Sequence, residues 1–538
     1  MDGGLPTVGG DGALPIETVF TLPSPLPSFP PGGGFAKGSI NLGGLEVRQC
    51  SSLTKVWAAL EGGPENLGAT FFKPSPVPAG FSLLGCYAQP NNRPLFGWVL
   101  CGRDIDGGAL RKPTGYTLLW TSESSKIRKH GDGYFWLPTA PEGYRAVGIL
   151  VTSSPAAPSP EEIRCVRSNL TDECENDEWV WGDQDGIQVY SLRPTVRGSG
   201  AAGVCVGTCM VGTPPLWCLK NTAPLSRSMP GMTQIEALVR AYSPWIYFHP
   251  DEPYLPSSVG WFFDNGALLY KKDAPTPAAV DSAGSNLPQG ANAGECWLDL
   301  PADEAARNRL KTGDLQSSEA YVHVKPMLGG TFTDVVVWVF YPFNGPARAK
   351  VEFLNISFKR IGEHIGDWEH VTLRVSNFSG ELRRVFFAEH SSGEWKEASE
   401  VEFQGGNKPV AYAALHGHAA YPHPGLVLQG GAAAGLGVGI RDDTKGGGRS
   451  LDTGAKYRLV AVDHLGSVVG PPWLNFLGEW GPKVSYDFAE DVNKVTRLLP
   501  RKLRERLEKL LKSLPPQVLG EEGPTGPKEK RNWAGDEG

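Results

Sequence analysis

The chain has 538 residues, 40% of them hydrophobic and 20% charged, with a formal net charge of −7 and a pI near 5.9. That length exceeds one compact core and predicts two or three domains. The acidic balance excludes a nucleic-acid-binding protein, which needs basic charge to meet phosphate. With 68 glycines and 46 prolines the chain favours short strands and turns over long helices, so the expected fold is mainly β.

The first stretch, MDGGLPTVGGDGALP, has no basic start followed by an apolar run, so no secretory signal is expected. Nor does any stretch reach the ~18 apolar residues of a spanning helix. The expected location is the cytoplasm or intracellular storage in the producing cell. The nine cysteines then read as reduced, mostly buried thiols. Cys205 and Cys209 lack partners at zinc-ligand spacing.

Residues 76–88, PVPAGFSLLGCYA, are echoed by 139–151, TAPEGYRAVGILV. Pro78, Gly80, Phe81 and Gly85 match Pro141, Gly143, Tyr144 and Gly148, and GVCVGTCMVG after Arg193-Pro194 is a weaker third copy. Each unit reads as a Pro-Gly turn launching a strand. Units about 60 residues apart predict a pseudo-threefold, β-prism-like domain over residues 1–222; its resemblance to the prisms of plant lectins and bacterial crystal toxins implies that it binds a receptor or glycan.

Residues 223–231 read as a linker, and Thr233-x-x-Glu236 as a capping box opening a short helix. Strands return in VVVWVFYPF, HVTLRVSNF, RRVFFAEH and KPVAYAALHGH, which predicts a β-sandwich over 232–490. The Val335 run is apolar on both faces, as in a buried strand, whereas VTLRV alternates. Residues 491–516 include the basic amphipathic helix PRKLRERLEKLLKSL, and 517–538 read as a flexible tail.

One constellation carries chemistry. In GEHIGDWEHVTLRV, strand alternation turns Asp367 and Glu369 to the face of Val371, Leu373 and Val375, and Trp368 and His370 to the other. Two carboxylates at a core mouth repel unless a cation sits between them. Six of the ten histidines fall between His364 and His423. The candidate metal ligands are His364, Asp367, Glu369 and His390, with His370, His416 and His418 as additional candidates. Oxygen-rich donors favour Mg²⁺ or Ca²⁺ over Zn²⁺. A wet strand end without a metal is the other reading of the same pattern. No nucleophile elbow, His-Glu-x-x-His or phosphate loop is present, so no catalytic residues are assigned and no enzyme is expected.

The stretches YSPWIYFHPDEPYLPSSVGWFFDNGALLY, IGDWEHVTLRV, HSSGEW and LHGHAAYPHPG resemble the plant vacuolar protein sorting-associated protein 62-related family, catalogued as a domain of unknown function. More distantly, His364 to Glu369 resemble the Gly-His-Arg-His-Asp-Trp-Glu heptapeptide of the necrosis-inducing cytolysins, which are actinoporin-like β-sandwiches. By position His364, Asp367 and Glu369 match that family's first histidine, aspartate and glutamate. Gly366 replaces its second histidine and Glu363 its leading glycine. The resemblance implies a divalent metal held at one end of a sandwich near a membrane-facing surface.

The expected function is therefore a soluble plant defence protein that binds membranes of insect gut or microbes and permeabilises them as a pore-forming cytolysin. Its expected partners are a membrane lipid, glycan or protein receptor, and further copies of itself on the membrane. An intracellular membrane-trafficking adaptor, and a metal-dependent hydrolase built on Asp367 and Glu369, are the alternatives.

Overall fold

The structure is a computed structural model; it describes residues 14–182, 186–212, 216–290, 293–390, 392–429, 438–483, 500–512 and 523–537. It is mainly β and divides into two units.

The first unit holds Met1–Thr233 together with Pro326–Thr333 and Ser376–Glu381. Three antiparallel three-stranded sheets repeat along it. Their long strands are Leu53–Ala59, Ala69–Pro74 and Tyr87–Pro90; then Gly115–Thr121, Tyr134–Thr139 and Leu150–Thr152; then Cys174–Gly182, Gln188–Pro194 and Cys209–Val211. Each opening strand contributes one tryptophan to the axis. Trp57, Trp120 and Trp181 form a near-equilateral triangle with ring centroids 6.0, 5.7 and 5.8 Å apart. Phe71 and Phe135 fill the gaps edge-on, the arrangement that aromatic quadrupoles favour. This is the expected prism with pseudo-threefold symmetry.

The echoed glycines have a steric reason. Gly80 and Gly143 hold φ near +79° and +78°, which launches each strand. A Cβ on Gly85 would lie 2.9 Å from Gly148, and 2.6 Å from Thr208 of the third copy. The three repeats thus close on one another at a point with room for two hydrogens and one methyl.

Residues 223–231 differ from the expected linker. Leu225–Arg227 is a 3-10 turn, Met229 is buried, and Ser228 Oγ donates to the Gly330 carbonyl at 2.6 Å. The segment belongs to the first unit because Pro326–Thr333 returns to cover it. The following helix, Met232–Tyr242, starts one residue ahead of Thr233, so Thr233 lies inside the first turn and does not cap it.

The second unit is the sandwich. Its main sheet runs, in spatial order, Ser392–Glu397, Leu382–Glu389, His364–Ser376, Phe332–Asn344, Ala320–Met327 and Tyr457–Val462. Phe332–Asn344, the Val335 run, is buried along its whole length, as its two apolar faces require. A second sheet pairs Trp245–Phe248 in parallel with Lys408–Ala413 and antiparallel with Ser450–Asp452. The two layers meet at Phe248 and Tyr341, edge to face. On the opposite side of the main sheet Trp368, Trp473, Trp480, Phe340 and Tyr321 build an aromatic core.

The basic C-terminal helix spans Arg501–Lys512; residues 491–499 and 513–516 of the expected element lie outside the described residues. Leu503 and Leu507 pack on the strands Arg348–Val351 and Val438–Thr444, so these two apolar side chains of the helix face the protein's own sheet. The expected flexible tail is corrected: residues 523–537 are folded into the second unit. Trp480 N donates to the Pro524 carbonyl at 2.7 Å, and Asn532 and Glu537 are buried. A polar, glycine-rich stretch reads as tail until its charges meet buried partners.

Candidate functional site

Strand alternation places the acids as expected. Asp367 and Glu369 emerge at the start of His364–Ser376, on the face turned towards the second sheet. The backbone enters through Gly366 at φ +69°, where a Cβ would lie 2.4 Å from the Trp480 carbonyl oxygen. That approach leaves no room for a side chain at this position.

Asp367 is buried between two imidazoles. His418 Nδ1 lies 3.3 Å from Oδ2 and His364 Nε2 lies 3.9 Å from Oδ1. Burial opposes its charge, but the His418 hydrogen bond and the two histidine charges prevail and hold its pKa below the usual range. His418 is itself fixed on both sides. Its Nε2 donates to the Tyr254 carbonyl at 3.0 Å, and its ring stacks on Tyr341 with centroids 3.9 Å apart. With both nitrogens engaged, His418 is an anchor for Asp367 and not a metal ligand.

A second pair faces the first. His390 Nε2 sits 3.0 Å from Asp442 Oδ2, and Tyr421 Oη donates to the same oxygen at 2.6 Å. The Asp442 charge raises the His390 pKa to about 9. Gln429 extends the chain by donating to Tyr421 Oη at 3.1 Å and to Glu389 at 3.0 Å.

Glu369 lies between these pairs. It is half-buried, with no hydrogen bond to its carboxylate among the described residues. Burial first, and then the Asp367 charge, push its pKa well above the usual carboxylate range, against the charges of His390 and Lys530. A carboxyl kept unpaired and hard to ionise marks a binding or reacting group more often than a structural one.

The loops carrying the histidines are strained. His390, His416 and His418 hold φ of +54°, +73° and +59°, conformations that non-glycine residues keep only when their surroundings over-determine them. Here those surroundings include Glu252, which is buried and accepts the His416 backbone N–H at 2.6 Å and the Tyr254 N–H at 2.9 Å. His416 Nδ1 donates to the Pro346 carbonyl at 3.0 Å.

The expected site residues therefore separate. His364, Asp367, Glu369, His390 and His418 converge, and the backbone of His416 joins them. His370 does not: its ring points to the other face, where Nε2 lies 3.2 Å from Glu537 and 3.0 Å from Asn532 Nδ2. Asp442, Tyr421 and Glu252 complete the cluster, and none was singled out in the sequence. The paired acids of IRDDT and the acid of HPDEPY were the available signals.

Among the described residues no three His, Cys, Asp or Glu side chains close on one point as metal ligands. A cage of His364, Asp367, Glu369 and His390 does not fit, because His390 is committed to Asp442. The carboxylates of Asp367 and Glu369 are the donor type that a hard, oxygen-seeking cation takes.

No curated protein matches the chain. GNIP1Aa from Chromobacterium piscinae is 21% identical over 36% of this chain and 40% of its own, with a TM-score of 0.27, so the match spans two fifths of that protein. Necrosis and Ethylene inducing Protein 2 from the causal agent of cocoa's Witches Broom disease is 14% identical, over 51% of this chain and 87% of its own, with a TM-score of 0.20. NLPPya in complex with mannosamine is 11% identical over 36% and 68%, also with a TM-score of 0.20. At the level of the whole sequence the match is continuous: residues 16–537 fit the model described as vacuolar protein sorting-associated protein 62, and the chain belongs to that family.

Proposed function

We propose that this is a non-enzymatic defence protein that binds the surface of a target membrane, of insect gut or microbe, through the Asp367 end of its sandwich and permeabilises that membrane. The observation that carries the reading is Glu369, a half-buried carboxylate with no hydrogen-bond partner among the described residues, set beside Asp367 between two prebuilt histidine–aspartate pairs. The neighbours are ordered while the group between them is left unsatisfied, which suits a ligand arriving from outside.

Asp367 and Glu369 would hold a divalent cation of the calcium or magnesium class, which supplies a Lewis-acidic point for oxygens of a headgroup. The chain's own residues do the positioning. His418 orients Asp367 through its hydrogen bond, and the Asp442 pair holds His390 as a fixed positive charge facing the same space. A sugar or phosphate headgroup offers the matching oxygens.

Two other readings keep a foothold. The family's name favours an intracellular sorting adaptor, and the raised Glu369 pKa favours a hydrolase using it as general acid or base. Flotation with vesicles bearing glycosylated or phosphorylated lipids tests the proposal. Wild type should co-float and Glu369→Ala should not. Equal flotation of both proteins would overturn the role given to Glu369.

A further inference from the structure

In the second unit the strands Arg348–Val351 and Leu354–Ser357 are joined by a two-residue turn, Glu352-Phe353. Tight hairpin turns favour glycine, asparagine or aspartate at positive φ, yet Glu352 holds φ +57° and a phenylalanine follows it at the tip. Phe353 is 76% exposed. A turn that breaks the local rule to hold an aromatic ring in water marks a surface kept for a partner.

The basic helix Arg501–Lys512 lies beside this turn. Leu354, next in sequence to Phe353, is half-buried in the same cluster as Leu503 and Leu507. Lys502, Arg506 and Lys509 recur at i, i+4 and i+7, so they line one flank of the helix, and all three are exposed. Arg506 pairs with Glu352, which sets that flank against the turn. Lys502 and Lys509 meet no acid among the described residues, and Glu505 is already held by Arg501 at 2.9 Å. An exposed ring and a basic stripe therefore stand side by side.

Size and charge decide what fits there. A stable protein partner buries on the order of 1,000 Å², whereas Phe353 is flanked by Glu352 and by the exposed Asn355 and Ser357, which offer little apolar area. A bilayer needs only a ring that enters the headgroup boundary and cations that meet its phosphates. The chain carries −7 overall, so attraction to an anionic surface has to come from a local stripe such as this one. We infer that the Phe353 turn and the flank of Lys502, Arg506 and Lys509 form a contact surface for a bilayer carrying anionic phospholipid. The ring sits among the headgroups and the lysines sit on their phosphates. This contact uses neither Asp367 nor Glu369 and goes beyond the cation-dependent contact proposed above.

The test floats the full chain with phosphatidylcholine vesicles, with and without an equal part of phosphatidylserine, at low salt. Chelator is present throughout and removes the cation-dependent contact, so failure here leaves the reading of Glu369 untouched. Wild type should float with the anionic vesicles only. Phe353→Ser should partition at least about tenfold more weakly, and Phe353→Leu, which keeps an apolar tip, should stay within about threefold of wild type. Lys502→Ser with Lys509→Ser should partition about 20-fold more weakly, each lysine counting for about fivefold. Rising salt should release wild type from the vesicles, a check that needs no variant. Wild type that ignores the anionic vesicles, that floats equally with both kinds, or that is matched by Phe353→Ser overturns the inference. Binding of wild type to soluble polyglutamate that phosphatidylserine vesicles do not displace also overturns it, since the partner would then be an acidic polypeptide.

Discussion

Asp442 and His390 form a near-bidentate pair, with Nε2 3.2 and 3.0 Å from the two carboxylate oxygens, and the pair lifts the histidine pKa to about 9. A raised histidine stabilises the fold fully below its unfolded pKa and loses that contribution as pH rises through the folded one. The second unit should therefore weaken between about pH 6.5 and 9, by on the order of 2 kcal/mol after allowing for the partial exposure of His390. Urea unfolding at pH 6 and pH 9.5 measures this, and Asp442→Asn should flatten the dependence. A wild-type stability that is level across that range contradicts the pairing.

Glu537 behaves in the opposite sense. Burial opposes its charge, but His370, Lys325 and Thr372 together draw its pKa down to about 2. Its contribution is present above the unfolded value near 4.5 and is lost as pH falls towards 2. Glu537→Gln should lower stability at pH 7 by about 2 kcal/mol and leave it unchanged at pH 2. A loss of equal size at both pH values would show that the side chain acts by packing alone.

Glu369 carries a raised pKa, so its charge costs stability at neutral pH. In chelator-treated protein, Glu369→Gln should raise the melting temperature by about 2–4 °C. Added calcium or magnesium should stabilise wild type and leave the variant unmoved. A lower melting temperature for the variant in chelator would mean that the carboxylate is already paired.

Gly366→Ala meets the Trp480 carbonyl at 2.4 Å on a backbone with φ +69°. A loss of about 2–4 kcal/mol is expected, with disorder at the strand entrance. Gly425→Ala, in open space at the start of another strand, is the control and should cost less than about 1 kcal/mol.

Much of this was legible from periodicity. Alternation along His364–Ser376 separated Asp367 and Glu369 from His370, and the Pro-Gly echo announced a threefold domain. Residue spacing could not say which histidines would be counter-charges. His418 became an anchor because its loop turns through φ +59° to bring both ring nitrogens to partners 51 and 164 residues away. The tryptophan triangle was hidden for a different reason. Trp57, Trp120 and Trp181 sit in strands whose other residues do not repeat, so only the fold aligns them. The acidic C-terminus reads as solvent-exposed from composition, since its partners Lys325 and Arg374 lie in distant strands.

Dye release from brush-border and plain lipid vesicles, with wild type and Glu369→Ala side by side, tests the central claim most directly. The account predicts release by wild type that the substitution abolishes and that a chelator suppresses. Release that is identical for both proteins, or no release by wild type at micromolar concentration, would contradict it.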